Sequence, residues 1–156
     1  MEYDQNHANS GIKIPAATLV RCIDKALAHH AVDTMLLTAI IKTENGNQGS
    51  FVINSNGTAD LGPAQINTIH LDEPWFKFQY PEANAHEVAN NVCLNIDIAA
   101  NILHQRISEL RPDQSIWDAA GHYHSKTKKV KIIYLQRLMK NYQLIAEKKG
   151  SGFNVN

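Results

Sequence analysis

Apolar residues return along this chain at intervals of three and four, the spacing of helix faces. Leu19, Cys22, Ile23, Ala26 and Leu27 make one stripe, and Pro15 suits the first turn of a helix running to about Ala31. Leu37, Ile40, Ile41 and Glu44 make a second, on a helix from Thr34 to Glu44 with Asp33 as its N-cap. Turn formers then crowd the chain: Asn45, Gly46, Asn47, Gly49, Asn54, Asn56 and Gly57. Between them Phe51-Val52-Ile53 is strand-like, and Asn56-Gly57 predicts the tight turn of a small hairpin. Asp60-Leu61-Gly62-Pro63 reads as a second turn, with Pro63 opening a short helix. Asn67 caps a turn through His70, and Leu71 to Pro81 is irregular and aromatic. A helix follows over about Asn84 to Ala89. Another runs from Asn91 to about Leu110, with Cys93, Ile96, Ala100, Leu103 and Ile107 on its stripe and Pro112 as its breaker. Ser115 caps a shorter helix reaching about Ser125. The last helix, Lys128 to Lys149, buries Ile132, Leu135, Leu138, Met139, Tyr142 and Ile145.

These elements predict a mainly α, single-domain protein with one small β-hairpin. Residues 1–13 are a flexible lead-in, 14–149 the domain and 150–156 a tail. A chain of 156 residues is long enough for one core, and no internal repeat divides it. Formal charge balances to zero, so nothing electrostatic points to nucleic acid. No stretch approaches the ~20 apolar residues of a membrane-spanning helix. The polar start, Met1-Glu2-Tyr3-Asp4-Gln5, shows no leader and by itself reads as cytoplasmic. By pattern alone, Cys22 and Cys93 are buried free thiols.

The candidate chemistry begins at Glu44, on the apolar face of its own helix at the last turn, with Gly46 as the stop beyond. Either Glu44 ends the helix and turns to solvent, or it is a buried carboxyl. A carboxyl group on an apolar face is costly to ionise, and an acid that keeps its proton near neutral pH can serve as a general acid. The amide-rich loop beside it suits a sugar, which offers hydroxyls and N-acetyl groups but little charge. Trp75, Phe76, Phe78 and Tyr80 either seal the core or stack on sugar rings. His122 and His124 stand two apart, a spacing that sends two rings to different sides of a helix, and no Cys or carboxylate completes a metal set. His29 and His30 read as a solvated helix end. Lys126, Lys128, Lys129 and Lys131 read as a solvated face or as a contact for anionic polymers or a secretion partner.

Glu44, followed by Asn-x-Asn-Gly-Thr-x-Asp-Leu-Gly-x-x-Gln-Ile-Asn at Asn54 to Asn67, resembles the catalytic core of the lytic transglycosylases of the soluble (SLT, goose-lysozyme-like) type. Tyr123-His124-Ser125 is similar to a variant found in the small accessory enzymes of type IV secretion and conjugation. The resemblance covers about Pro15 to Ala146. It implies a lysozyme-like fold and cleavage of peptidoglycan glycan strands, with Glu44 as the catalytic acid and no metal or cofactor. It also implies that Gln65 and Asn67 line the glycan groove, and that Tyr123 stands across it, bonded near the sugar or Glu44. Asn91-Val92-Cys93-Leu94-Asn95 matches an Asn-x-Cys-x-Asn segment of export-linked members. The resemblance therefore implies a Cys22–Cys93 disulfide, worth roughly 2–4 kcal/mol and suited to an oxidising periplasm. It implies export too, the native leader being absent from this chain. Two departures stand out: Asn45 where Ser is usual, and Pro63-Ala64 where Leu-Met is usual. Asp60 is the nearest candidate second acid, at a position that looks structural. A goose-type muramidase and a weakly active peptidoglycan-binding scaffold are the other readings.

Overall fold

The computed structural model describes residues 11–125 and 128–152. Among the described residues, seven helices surround a small antiparallel sheet: α1 (Ala16–His29), α2 (Thr34–Glu44), α3 (Pro74–Gln79), α4 (Ala85–Asn90), α5 (Val92–Ser108), α6 (Ile116–His124) and α7 (Lys128–Gly152). The mainly α, lysozyme-like single-domain expectation holds. Asp33 caps α2 as its position predicts, accepting from Leu36 N at 2.8 Å. Ser115 and Asp118 form a reciprocal capping box on α6.

The sheet is larger than the expected hairpin. β1 (Phe51–Ile53) pairs with β2 (Ala59–Leu61), and β2 pairs in turn with β3 (Ile66–Asn67). Gly62 to Gln65 form the β2–β3 turn, so Pro63 opens no helix. The apolar residues of this stretch, Leu61, Ala64 and Ile66, all point into the core. A strand pair with a buried inner face satisfies that pattern as a helix start would not. Leu71 to Pro81 is likewise not irregular: a 3-10 turn at Thr68–Asp72, N-capped by Asn67, leads into α3. Phe76 of α3 is core, with Trp75 and Tyr80 packed against it, while Phe78 faces solvent. Trp75, Phe76 and Tyr80 thus seal the core.

Two clusters of buried side chains meet along α5. One joins α1, α2, the sheet, α4 and α5. The other joins Leu36, Ala39 and Ile40 of α2, Leu103 of α5, Ala120 of α6, and Tyr134 and Leu138 of α7. Of the expected α7 stripe, Leu138 is buried and Leu135, Tyr142 and Ile145 pack partly buried against the same cluster, while Ile132 and Met139 are exposed and Tyr134 takes a buried position one turn before Leu138. Lys131 is half-buried, 3.4 Å from His122 and 3.9 Å from Asp118. Lys126 of the expected basic run lies outside the described residues.

Cys22 of α1 and Cys93 of α5 are joined by a disulfide. The pattern's reading as free thiols is thus corrected, and the implied pairing is present. At the end of α1, His30 Nε2 lies 3.1 Å and His29 Nδ1 3.4 Å from the Asp97 carboxylate, so this end is tied down and not merely solvated. Most of the expected lead-in, residues 1–13, lies outside the described residues, but Ile12 exchanges backbone hydrogen bonds with Gln48. At the other terminus, α7 runs on to Gly152 before the described residues end.

Candidate active site

A cleft of about 700 Å³ opens where α2 ends. Glu44 reaches it from the last turn of α2. Asn45 ends that helix in the left-handed conformation, φ 53°, which Asn tolerates better than most residues. The stop is therefore Asn45, one residue before the expected glycine. Gly46 serves close packing: a Cβ there would stand 2.0 Å from Gly62 O. Gly46 N instead donates to Pro63 O at 3.1 Å, clamping the end of α2 to the β2–β3 turn.

That turn carries Gln65, and a buried amide holds it. Asn95 Nδ2 donates to Leu61 O (2.8 Å) and Val88 O (2.9 Å), while its Oδ1 accepts from Ala64 N (2.9 Å). Gly62 adopts φ 66°, and a Cβ on it would stand 2.4 Å from Asn95 Nδ2. Ala64 is buried, its N–H taken by Asn95 and its carbonyl by the Tyr123 hydroxyl at 3.0 Å. Neither Pro63 nor Ala64 borders the cleft, so that departure from the usual pattern falls on the scaffold beneath the groove.

Gln65 borders the cleft at φ 52°, its Nε2 donating to Gly62 O (2.9 Å) and Ser50 Oγ (3.2 Å). Asn67 borders it as well and donates to Asp60 Oδ1 at 2.8 Å. Asn54 donates to Asp60 Oδ2 at 3.2 Å. Asp60 lies in β2, with both carboxylate oxygens engaged by amides. These residues, with Asn56 and Thr58, make one wall of amides, hydroxyls and a single carboxylate.

Residues of α6 supply the facing groups. Tyr123 borders the cleft with its ring while its hydroxyl holds Ala64 O. Burial, then the charges of Glu44 and Asp60, push its phenol well above the ordinary value. His124 Nδ1 stands 3.2 Å from Glu44 Oε1, an arrangement the spacing of His122 and His124 did not suggest. The Glu44 side chain is 8% exposed and that of His124 36%. The His124 ring lies flat on Tyr134, centroids 4.3 Å apart and planes within 1°. The hydrogen bond to Glu44 raises the His124 pKa above the ordinary imidazole value against the lowering effect of burial. Tyr134, buried under this ring, is pushed upward by desolvation and then by the Glu44 charge. Its hydroxyl has no hydrogen-bond partner in good geometry among the described residues.

His70 and Arg106 border the same cleft. The Glu73 carboxylate holds His70 Nδ1 and Trp75 Nε1, each at 2.7 Å. Burial lowers the His70 pKa and outweighs Glu73. Among the described residues no group of three His, Cys, Asp or Glu side chains is placed to hold a metal ion.

The expected site residues Glu44, Gln65, Asn67 and Tyr123 thus share one cleft. Sequence reasoning missed His124, whose signal was its place beside Tyr123. It also missed Asn95, a polar residue between Val92 and Ala99 on an otherwise apolar face.

The family model described as Transglycosylase SLT domain matches residues 21–133. Protein IpgF of Shigella flexneri is 29% identical over 138 residues, covering 85% of this chain and 86% of that protein. Protein IpgF of Shigella sonnei matches with the same identity and coverage.

Proposed function

The chain belongs to the Transglycosylase SLT domain family, whose members are lytic transglycosylases acting on peptidoglycan, and from that premise we propose that Glu44 is the single acid and base of its reaction. One observation carries this. Glu44 is nearly enclosed at the rim of a polar cleft, opposite a wall of amides and hydroxyls suited to sugar substituents.

The bond cut is the β-1,4 link from N-acetylmuramic acid to N-acetylglucosamine. Protonated Glu44 gives its proton to the glycosidic oxygen as the bond from C1 breaks, and the electron pair leaves with that oxygen. The oxocarbenium-like centre is stabilised by the substrate's own N-acetyl group. Glu44, now ionised, accepts the proton of the C6 hydroxyl while that oxygen bonds to C1. The product is a 1,6-anhydromuramyl end, and water is not consumed. Gln65 and Asn67 contact the glycan from the sheet side, and the Tyr123 ring packs against it from α6.

Asp60 bears on the alternative, a goose-type muramidase, because it borders the same cleft. An inverting hydrolase needs a second carboxylate to position water across ~6.5–9.5 Å. Both oxygens of Asp60 already accept amide hydrogens, which favours the anhydro route. The Cys22–Cys93 disulfide favours an oxidising compartment, in keeping with a periplasmic site of action. Tyr123-His124-Ser125 favours service to a type IV secretion or conjugation machine.

The test is digestion of purified sacculi by wild type and Glu44→Gln, with products read by mass spectrometry. Wild type releases anhydro-muropeptides, and the variant falls by roughly 10²–10⁴-fold. Full activity in the variant would remove Glu44 from the mechanism; reducing ends from wild type would establish the hydrolase.

A further inference from the structure

A carboxyl that opens the reaction as an acid must begin each turnover with a proton, and an ordinary carboxyl is mostly ionised near neutral pH. In this cleft the carboxyl is not alone, since His124 Nδ1 lies 3.2 Å from Glu44 Oε1. The imidazole has little freedom to leave: it is stacked face to face on Tyr134, which is itself 2% exposed and set in the α2–α5–α6–α7 cluster.

We propose that His124 is a positioning residue that pins Oε1 of Glu44, and that the two side chains hold one exchangeable proton between them. This inference rests on Glu44 being the acid. The pair, and not the carboxyl alone, then forms the proton store. When its proton goes from Glu44 to the leaving oxygen, the C1–O bond breaks and the electron pair departs with that oxygen. When the C6 oxygen bonds to C1, the hydroxyl proton returns to the pair. The pair ends with the proton count it began with, and no co-reactant is needed.

The surroundings suit a shared proton. Glu44 faces His124 from α2, Asp60 from β2, and Arg137 and Tyr134 from α7, with Tyr123 beside it on α6. The two carboxylates hold the proton in place and Arg137 opposes them. Two coupled groups titrate as a pair. Between their two apparent pKa values the total charge is constant, and so is the fraction with the proton on Glu44. Activity therefore persists to a pH at which an isolated carboxyl, ordinarily ionised above about 4.3, would have lost its proton.

The experiment compares pH profiles of anhydro-muropeptide release for the full chain, His124→Gln and His124→Phe, the latter keeping an aromatic ring on Tyr134. The high-pH limb of both variants moves down by at least about one unit, with kcat at neutral pH falling about tenfold or more and KM nearly unchanged. A uniform loss with the limb in its wild-type place would overturn the proposal, since a purely structural role lowers all points alike. A second readout is independent of turnover and of the His124 variants' folding. The His124 ring nitrogens are titrated by NMR in wild type and in Glu44→Gln. The proposal requires the His124 midpoint to fall by about one unit in the variant; equal midpoints would overturn it. Persistent activity in Glu44→Gln would instead sink the assignment of Glu44. An inactive Glu44→Gln with unmoved His124 profiles would sink the pairing alone.

Discussion

At the scale of single residues, Glu44 and Asn95 divide the work of the site. Glu44 is the proposed acid, and its contact with His124 has a stability signature. The His124 pKa is raised in the folded state, so the pair's contribution is fully present below about 6.5, the unfolded imidazole value. It is lost as pH rises through the higher folded value. Melting curves of wild type and His124→Gln should therefore lie furthest apart below about pH 6.5 and converge as pH rises through the raised His124 value. A constant gap would contradict the pairing. Asn95 contributes architecture: its amide satisfies three backbone groups from β2, α4 and the β2–β3 turn. Asn95→Ala leaves them buried without partners, and we expect a loss of about 3 kcal/mol in denaturant unfolding, with activity falling as the turn bearing Gln65 loosens.

Among elements, α2 and the β2–β3 turn act as a unit. The cap, the stripe and the last turn of α2 were legible because helix periodicity and capping are local. Asp33→Ala should cost about 1 kcal/mol in stability and leave the product spectrum unchanged. The β2–β3 turn was not legible, because Pro63 suits a helix start and a turn equally well. Long-range contacts decide there: Gly46 N to Pro63 O, Tyr123 to Ala64 O, and Asn95 beneath Gly62. Gly46→Ala should lower both stability and catalysis more than Asp33→Ala, because its Cβ, 2.0 Å from Gly62 O, would push the end of α2 away from Gly62. Kinetics and melting of the two variants side by side check this.

In the whole molecule, the cleft lies where the two buried clusters meet. The Cys22–Cys93 disulfide ties α1 to α5 in the cluster that also holds the sheet. It spans a sequence separation of 71, so its removal should cost roughly 2–4 kcal/mol. Cys22→Ser/Cys93→Ser should melt lower yet keep its activity at 25 °C, because neither sulfur borders the cleft. Reductant should lower the wild-type melt by a similar amount and leave the double variant unmoved. Among the described residues no helix is long and apolar enough to cross a membrane.

By itself the sequence determined the described helices other than α3, the first hairpin, the helix-end position of Glu44 and, through its motifs, the residues that share the cleft. These follow from intervals of a few residues, where backbone geometry fixes which side chains are neighbours. Tertiary structure alone decided three things: the third strand, the burial of Tyr134 on α7 where Ile132 and Met139 stay exposed, and the meeting of His124 with Glu44 across 80 positions of chain. Each depends on how separate elements pack. Local pattern says which face of a helix is apolar, but only the packed core sets how the helix lies against its neighbours, and the packing of α6 on α5 and α7 brings the His124 imidazole to the Glu44 carboxyl.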